Sequence, residues 1–507
     1  MTVSAQRKAL GNSTSHFVAA AIGVITGFVV MPAVVHGIGL TEFGIWALAT
    51  TLIGYMGLLD LGLSQTVIKK SSERLAKEDY TGLSGMVSSI LSLYLFIAIS
   101  ILIVCVPPLI YWGPQLFNVP PEGIALFREV FLILGALAAI NFPMSIISGL
   151  VGGLQDFYAA NSLSAILNVL KAALTIILLK AGYGLIALVW LAVGISVAGW
   201  LATFVWVKWR IPHLSVKFMI AKREQIREIT RFSSSMFIWA TAGQAYQSAD
   251  RVIIGILFPV GSVGVYEIGA RLNTYSRTVL HVVFMAMPAA SALIAKGEFA
   301  RVRDLYLQGS KYVLAVYGAI AIPTMMYGHE FVGLWIGAGF GQSVLIAQLL
   351  MIASLFQSQN SLGHMLLVGM GRLEIFTKVM AAYPIVIVCL AAGFGALLGL
   401  VGVALGVAFA VFGLEVIILV HLSRVMTTKL IDLLMSCQLP VIATGSAAAI
   451  LSTLIIGEFG TNTWMHLGIK ITLFEVLYGA LLFAFGLSQQ ERKRIVAWGA
   501  AFRSDHA

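Results

Sequence analysis

The sequence predicts an all-α polytopic membrane protein of about 14 transmembrane helices. Two six-helix halves related by a pseudo-two-fold axis are followed by two further helices. Three observations carry this. First, the 507 residues are 59% hydrophobic and only 11% charged, whereas soluble domains carry about 25% charged residues. Second, mean hydropathy is +0.94, and apolar stretches of the roughly 20 residues needed to cross a bilayer recur along the chain. Third, GLTEFGIWALATTL (39–52) repeats as FPVGSVGVYEIGARL (258–272), aligning Gly44 with Gly264 and Trp46 with Tyr266. LAKEDY (75–80) and IAKGEF (294–299) follow one residue out of that register. The offset spans six helices, and an even number leaves both halves in one orientation, related by an axis along the membrane normal.

Residues 1–15 form a short polar arm with Arg7 and Lys8. The run from about 17 to 35 is too long for a signal-peptide core and has no small-x-small cleavage site, so it reads as the first span. Pro32 is placed to kink it. The second span, 43–68, carries Asp60 within GLLDLGL, and a charged connector KKSSERLAKEDY follows. Spans three to six fall near 83–106, 124–147, 160–179 and 185–206, with a Pro- and aromatic-rich interfacial segment after the third.

The segment 207–232 holds seven Lys or Arg and reads as an amphipathic surface helix joining residues 1–206 to residues 233–420. Spans seven and eight fall near 233–257 and 262–290. The next four lie near 312–335, 344–369, 376–393 and 400–420. Two additional helices, within 434–487, precede a basic tail, 488–507.

With the N-terminus inside, 25 of the 32 Lys and Arg fall in cytoplasmic segments. This bias orients both termini to the cytoplasm. It also accounts for most of the net charge of +10 without nucleic acid. Cys105, Cys389 and Cys437 lie in apolar spans at no motif spacing and read as packing residues. Neither a Walker A sequence, an HExxH nor a dinucleotide fingerprint is present. The reading is therefore not an enzyme and requires no cofactor.

The chemistry concentrates in residues 244–281. A charge at the bilayer centre costs roughly 2.5–3.5 kcal/mol even on the lenient insertion scale. This stretch nevertheless carries Asp250, Arg251, Glu267, Arg271 and Arg277. On a helix, Glu267, Arg271, Thr274, Arg277 and His281 fall within an arc of about 120°. Such a stripe must face water or an internal ion-pair network.

The motif GLTEFGIWAL (39–48), then LLDLGL (58–63), then a basic loop resembles Wzx-type polysaccharide flippases of the multidrug/oligosaccharidyl-lipid/polysaccharide exporter superfamily. ADRVIIG (249–255) with VGVYEIGARL (263–272) is similar to the opening of that family's second half. The resemblance implies a twelve-helix core with two extra C-terminal helices. It also implies passage of an undecaprenyl-diphosphate-linked oligosaccharide, such as an O-antigen or other polysaccharide unit, to the outer leaflet of the bacterial inner membrane.

Candidate substrate-binding residues are Arg277, Arg271, Arg251, Lys171, Gln357 and Asn360. Guanidinium groups grip a diphosphate bidentately. For Arg277 the alternative is an ion pair with Asp60 or Asp250 on another helix. Glu267 and Arg271 have the i, i+4 spacing of an intrahelical pair. Asp250 and Arg251 are adjacent and diverge by about 100°, so they are not expected to share one partner direction. Lys171 lies mid-span. Gln357, Gln359 and Asn360 suit sugar hydroxyls or interhelical bonds. Asp60, Glu267 and Asp250 are candidates for H⁺ or Na⁺ coupling. Nothing is assigned to Glu415, while Glu475 marks an auxiliary lipid groove.

The function expected is alternating access through a cationic cavity between the two halves. Expected partners are the lipid-linked oligosaccharide, membrane lipids, and the polymerase and glycosyltransferases of the same pathway. A cation or drug antiporter of the same superfamily is the first rival. The core spans hold four bases against three acids, a margin of one charge. A membrane polymerase or ligase is the second, disfavoured by short external loops.

Overall fold

The computed structural model describes residues 3–214, 243–244, 247–278, 280, 287–372, 374–457, 463–494 and 497. Among them there is no strand. The helices are α1 (Val3–Met56), α2 (Leu63–Leu75), α3 (Tyr80–Ser100), α4 (Val106–Leu116), α5 (Ile124–Gly153), α6 (Phe157–Lys180) and α7 (Leu185–Arg210). Next come α8 (247–257), α9 (Gly261–Arg277), α10 (Met287–Ala295), α11 (Phe299–Trp335) and α12 (Gly341–Gly369). The series ends with α13 (Glu374–Val425), α14 (Leu430–Leu433), α15 (Leu439–Ile456) and α16 (Trp464–Leu481).

Nine helical segments among the described residues are long and apolar enough to cross a membrane. Two of them, Thr14–Asp60 and Thr377–Val425, run 47 and 49 residues. At 1.5 Å per residue each is about twice the ~30 Å apolar core, so each accounts for two passes. Both are broken at a glycine with positive φ, Gly39 at 75° and Gly399 at 69°. A side chain would strain the backbone there. The break in α1 thus falls at Gly39, while Pro32, the expected kink, stays inside the helix. With α11 and the partly described spans at 233–257 and 262–290, the total is about fourteen.

The chain divides into two compact units. One comprises Met1–Glu267 with Met380–Val403, the other Ile268–Val379 with Ala404–Ala507. The expected surface helix 207–232 lies largely outside the described residues, as does His281.

In the first unit, Tyr94, Phe142, Leu83 and Val67 anchor a core shared by α2, α3 and α5. Ile45, Leu48, Phe127, Leu185 and Val260 build another around α1 and α5. The two glycines that the repeat aligns meet here: Gly44 packs against the Val260 carbonyl, and a Cβ on Gly264 would fall 2.8 Å from the Leu40 carbonyl oxygen. Asn118 Nδ2, in the turn after α4, donates to the Ile256 carbonyl at 2.9 Å and so caps the end of α8. These contacts seat the charged stretch against α1.

The expected single span 43–68 is interrupted. α1 ends at Met56, Gly57–Asp60 forms one 3₁₀ turn, and Leu61 and Gly62 take left-handed φ of 50° and 78°. LLDLGL is therefore a turn inside the membrane protein. The connector that follows is helical to Leu75. Asp79 then caps α3, accepting the Gly82 N–H at 2.8 Å. That bond, with further help from Thr81 and Arg74, holds its carboxyl below the usual carboxylate range.

In the second unit, α11 shares a core with α15 and α16 through Leu314, Val441, Phe474 and Tyr478. The two additional helices are thus packed into this unit. Large apolar side chains elsewhere point outward, Leu397 at 80% exposed and Phe485 at 77% among them, as lipid-facing surfaces require.

Candidate functional site

The polar groups of the apolar helices gather into distinct clusters. In the first unit, Arg251 of α8 donates from Nε to Glu267 Oε2 of α9 at 2.6 Å. Its Nη1 lies 3.1 Å from Asp250 Oδ1 and also donates to the Gln247 carbonyl. Asp250 Oδ2 accepts the Tyr266 hydroxyl at 2.8 Å. All four side chains are buried or nearly so.

Part of the sequence expectation is corrected here. Adjacent Asp250 and Arg251 were expected to diverge, but the arginine side chain is long enough to fold back onto its neighbour. Glu267 is engaged by Arg251 across two helices, a contact that spacing along one helix could not show. The burial of a hydroxyl and three charges is tolerable only because each finds a partner. Tyr266 was missed as a ligand of Asp250. Its repeat position, opposite Trp46, carried the only signal.

A second cluster surrounds Asp60. Tyr94 of α3 donates to Oδ1 at 2.5 Å, and Ser64 donates to Oδ2 from its hydroxyl at 2.8 Å and its amide at 3.3 Å. Asp60 is half-buried, and it ties the 3₁₀ turn to α2 and α3 without a basic partner in these bonds.

The predicted arc on α9 is unevenly buried. Arg271 and Thr274 are exposed and Arg277 is half-buried, whereas Glu267 is turned inward. Lys171 on α6 and Gln357 on α12 are half-buried. Asn360, by contrast, is fully buried and donates to the Glu415 backbone carbonyl at 2.9 Å and to Glu415 Oε2 at 2.8 Å. Asn360 therefore serves an interhelical bond. Gln359 likewise accepts from Gln438.

Other buried bases are paired. Lys470 lies 3.2 Å from Glu330 and Lys311 lies 2.9 Å from Glu491. Glu475 lines a cleft of about 220 Å³ with Ile320, Pro323, Tyr327 and Phe331 between α11 and α16. No group of three His, Cys, Asp or Glu side chains among the described residues could hold a metal ion.

Comparison with known proteins places this architecture. A structure of the lipid II flippase MurJ in an inward closed conformation superposes with a TM-score of 0.70. It is 15% identical and covers 94% of this chain and 98% of its own. An inward-facing multidrug resistance MATE family transporter of the MOP superfamily gives 0.55 at 18% identity, covering 82% and 94%. A MOP superfamily transporter from Pyrococcus furiosus Vc1, described as having a binding pocket of reversed polarity, gives 0.55 at 17% identity, covering 83% and 96%. No curated protein matches the sequence. At these identities the superpositions establish a shared fold, a helical transporter architecture. The family model for "Polysaccharide biosynthesis protein" matches residues 9–294, more than half of the chain. The resemblance read from residues 39–63 and 249–272 is thereby borne out, and the chain is a member of the polysaccharide biosynthesis protein family.

Proposed function

We propose that the protein is a flippase. It carries an undecaprenyl-diphosphate-linked oligosaccharide from the cytoplasmic to the outer leaflet of the bacterial inner membrane, with both termini in the cytoplasm. The observation that carries this reading is the basic face of α9. Arg271 is exposed and Arg277 half-buried on a helix of a family member in polysaccharide biosynthesis. Guanidinium groups on such a helix suit a diphosphate, which accepts their paired N–H donors. Lys171 adds a half-buried ammonium on α6, and Gln357 offers an amide to sugar hydroxyls.

Arg251 has a different part in this proposal. Its donors go to Asp250 and Glu267, so it acts by holding α8 to α9. Asn360 similarly acts through its bond to Glu415. The isoprenoid tail stays in lipid while the polar head crosses, and movement follows from differential binding to two conformations.

The test reverses charge at both positions. Arg271→Glu with Arg277→Glu should abolish polysaccharide export while the purified protein remains monodisperse. Undiminished export would remove the cationic reading. A second reading, a cation antiporter, is favoured by one observation: two carboxylates, Asp250 and Glu267, are buried close together in the first unit. Resistance to cationic drugs conferred on a sensitised host, and lost with Asp250→Asn, would support it instead.

A further inference from the structure

Glu415 on α13 was given no role by the sequence, yet it is 3% exposed within an apolar helix. Its Oε2 accepts one amide N–H, from Asn360 on α12, at 2.8 Å. One turn further along α12, His364 Nε2 stands 3.4 Å from the same oxygen. No Lys or Arg among the described residues forms an ion pair with this carboxyl. Two neighbouring groups are incomplete: Asn360 Oδ1 and the Tyr306 hydroxyl of α11 are buried without a hydrogen-bond partner among the described residues.

These groups distinguish two states of the site. As a carboxylate, Glu415 is served by the Asn360 amide and by an imidazolium at His364, but the Asn360 carbonyl oxygen lacks a donor. As a neutral acid, Glu415 no longer needs a counter-charge in a dehydrated setting, and it supplies an O–H beside the Asn360 carbonyl oxygen that lacks a donor. The two states therefore satisfy different groups. The two partners also differ in access: the His364 side chain is 20% exposed and that of Glu415 is 3%.

We propose that Glu415 is a proton-binding site and that His364 exchanges its proton with water. On uptake, a proton from water adds to the His364 ring. The Nε2–H then passes to Glu415 Oε2, leaving a neutral imidazole and a neutral carboxylic acid; release is the reverse. Among the described residues, Glu415 is faced by His364 from α12 and Tyr306 from α11. Cys437 lies beside Tyr306, and the next titratable residue along α13 is His421, near Arg372 and Arg424. A proton that binds one conformation of the second unit better than another would bias that equilibrium. This inference rests on the transport reading for the use of the proton, and not for its binding.

The experiment is a pH titration of the full chain in lipid nanodiscs, followed by infrared difference spectroscopy of the protonated-carboxyl C=O band, without substrate. Wild type should show a band that titrates, and Glu415→Gln should lose it. Asp60→Asn should keep it. His364→Gln removes the nearby positive charge that favours the carboxylate, so the midpoint should move upward, by about 1 pH unit or more. A band that persists in Glu415→Gln overturns the proposal. If that variant does not purify as a monodisperse protein, His364→Gln decides alone, and an unmoved midpoint overturns it. Adding sodium in place of choline at fixed pH should leave the band intact; loss of the band would mean that the site takes sodium instead. Because export is not measured, failure here and failure of the flippase reading are separate results.

Discussion

The Asp250–Arg251–Glu267 group of the first unit and the Asn360–His364–Glu415 group of the second are both buried polar clusters between apolar helices, but they are built on opposite principles. In the first, two carboxylates close on a guanidinium that stays charged at any relevant pH, and Tyr266 completes Asp250. In the second, one carboxylate meets a neutral amide and an imidazole. A fixed charge pair locks geometry, because removing either partner strands a buried charge. A carboxylate with titratable company can change state with little movement. The first cluster is suited to holding α8 and α9 together, and the second to switching.

Three substitutions test that contrast, in order of decreasing effect. Arg251→Ala leaves Asp250 and Glu267 facing each other without their cation. It should destabilise the protein by about 3–5 kcal/mol, measured by thermal or denaturant unfolding in detergent. Combining Arg251→Met with Asp250→Asn and Glu267→Gln should recover most of the loss. Asn360→Leu removes the amide donor from Glu415. It should cost about 2–3 kcal/mol near neutral pH, the range for a hydrogen bond to a charged group. This deficit should shrink as pH falls and Glu415 becomes neutral. Equal losses for Arg251→Ala and Asn360→Leu, both independent of pH, would erase the distinction between the clusters.

The smallest effect is expected at Asp60. Tyr94→Phe deletes one of its three hydrogen bonds, while both Ser64 donors remain. A loss of about 1.5 kcal/mol is expected. A loss as large as that of Arg251→Ala would place Asp60 with the locked cluster and would call for a further partner.

How far the sequence could be read depended on the kind of information each feature carries. The apolar spans and the glycine repeat were legible because hydropathy and glycine spacing are local properties. The Gly44–Gly264 repeat even named two residues that pack at close backbone approach. The break at Gly39 falls between the expected spans 17–35 and 43–68, although its positive φ is invisible in composition. Asp60 was placed in the right stretch but in the wrong element. LLDLGL scores as an apolar run, although its glycine and aspartate together make a turn.

The sequence by itself determined that this chain is a many-helix membrane protein and which stretch concentrates charge among the apolar segments. Both follow from free energies of transfer summed residue by residue along the chain. Only the tertiary structure decided which charges are already answered: Arg251 by two acids, Lys470 by Glu330, and Glu415 by an amide and an imidazole. Ion pairing across helices joins residues 16 to 180 positions apart, and no local pattern encodes which side chains will meet within a few ångströms.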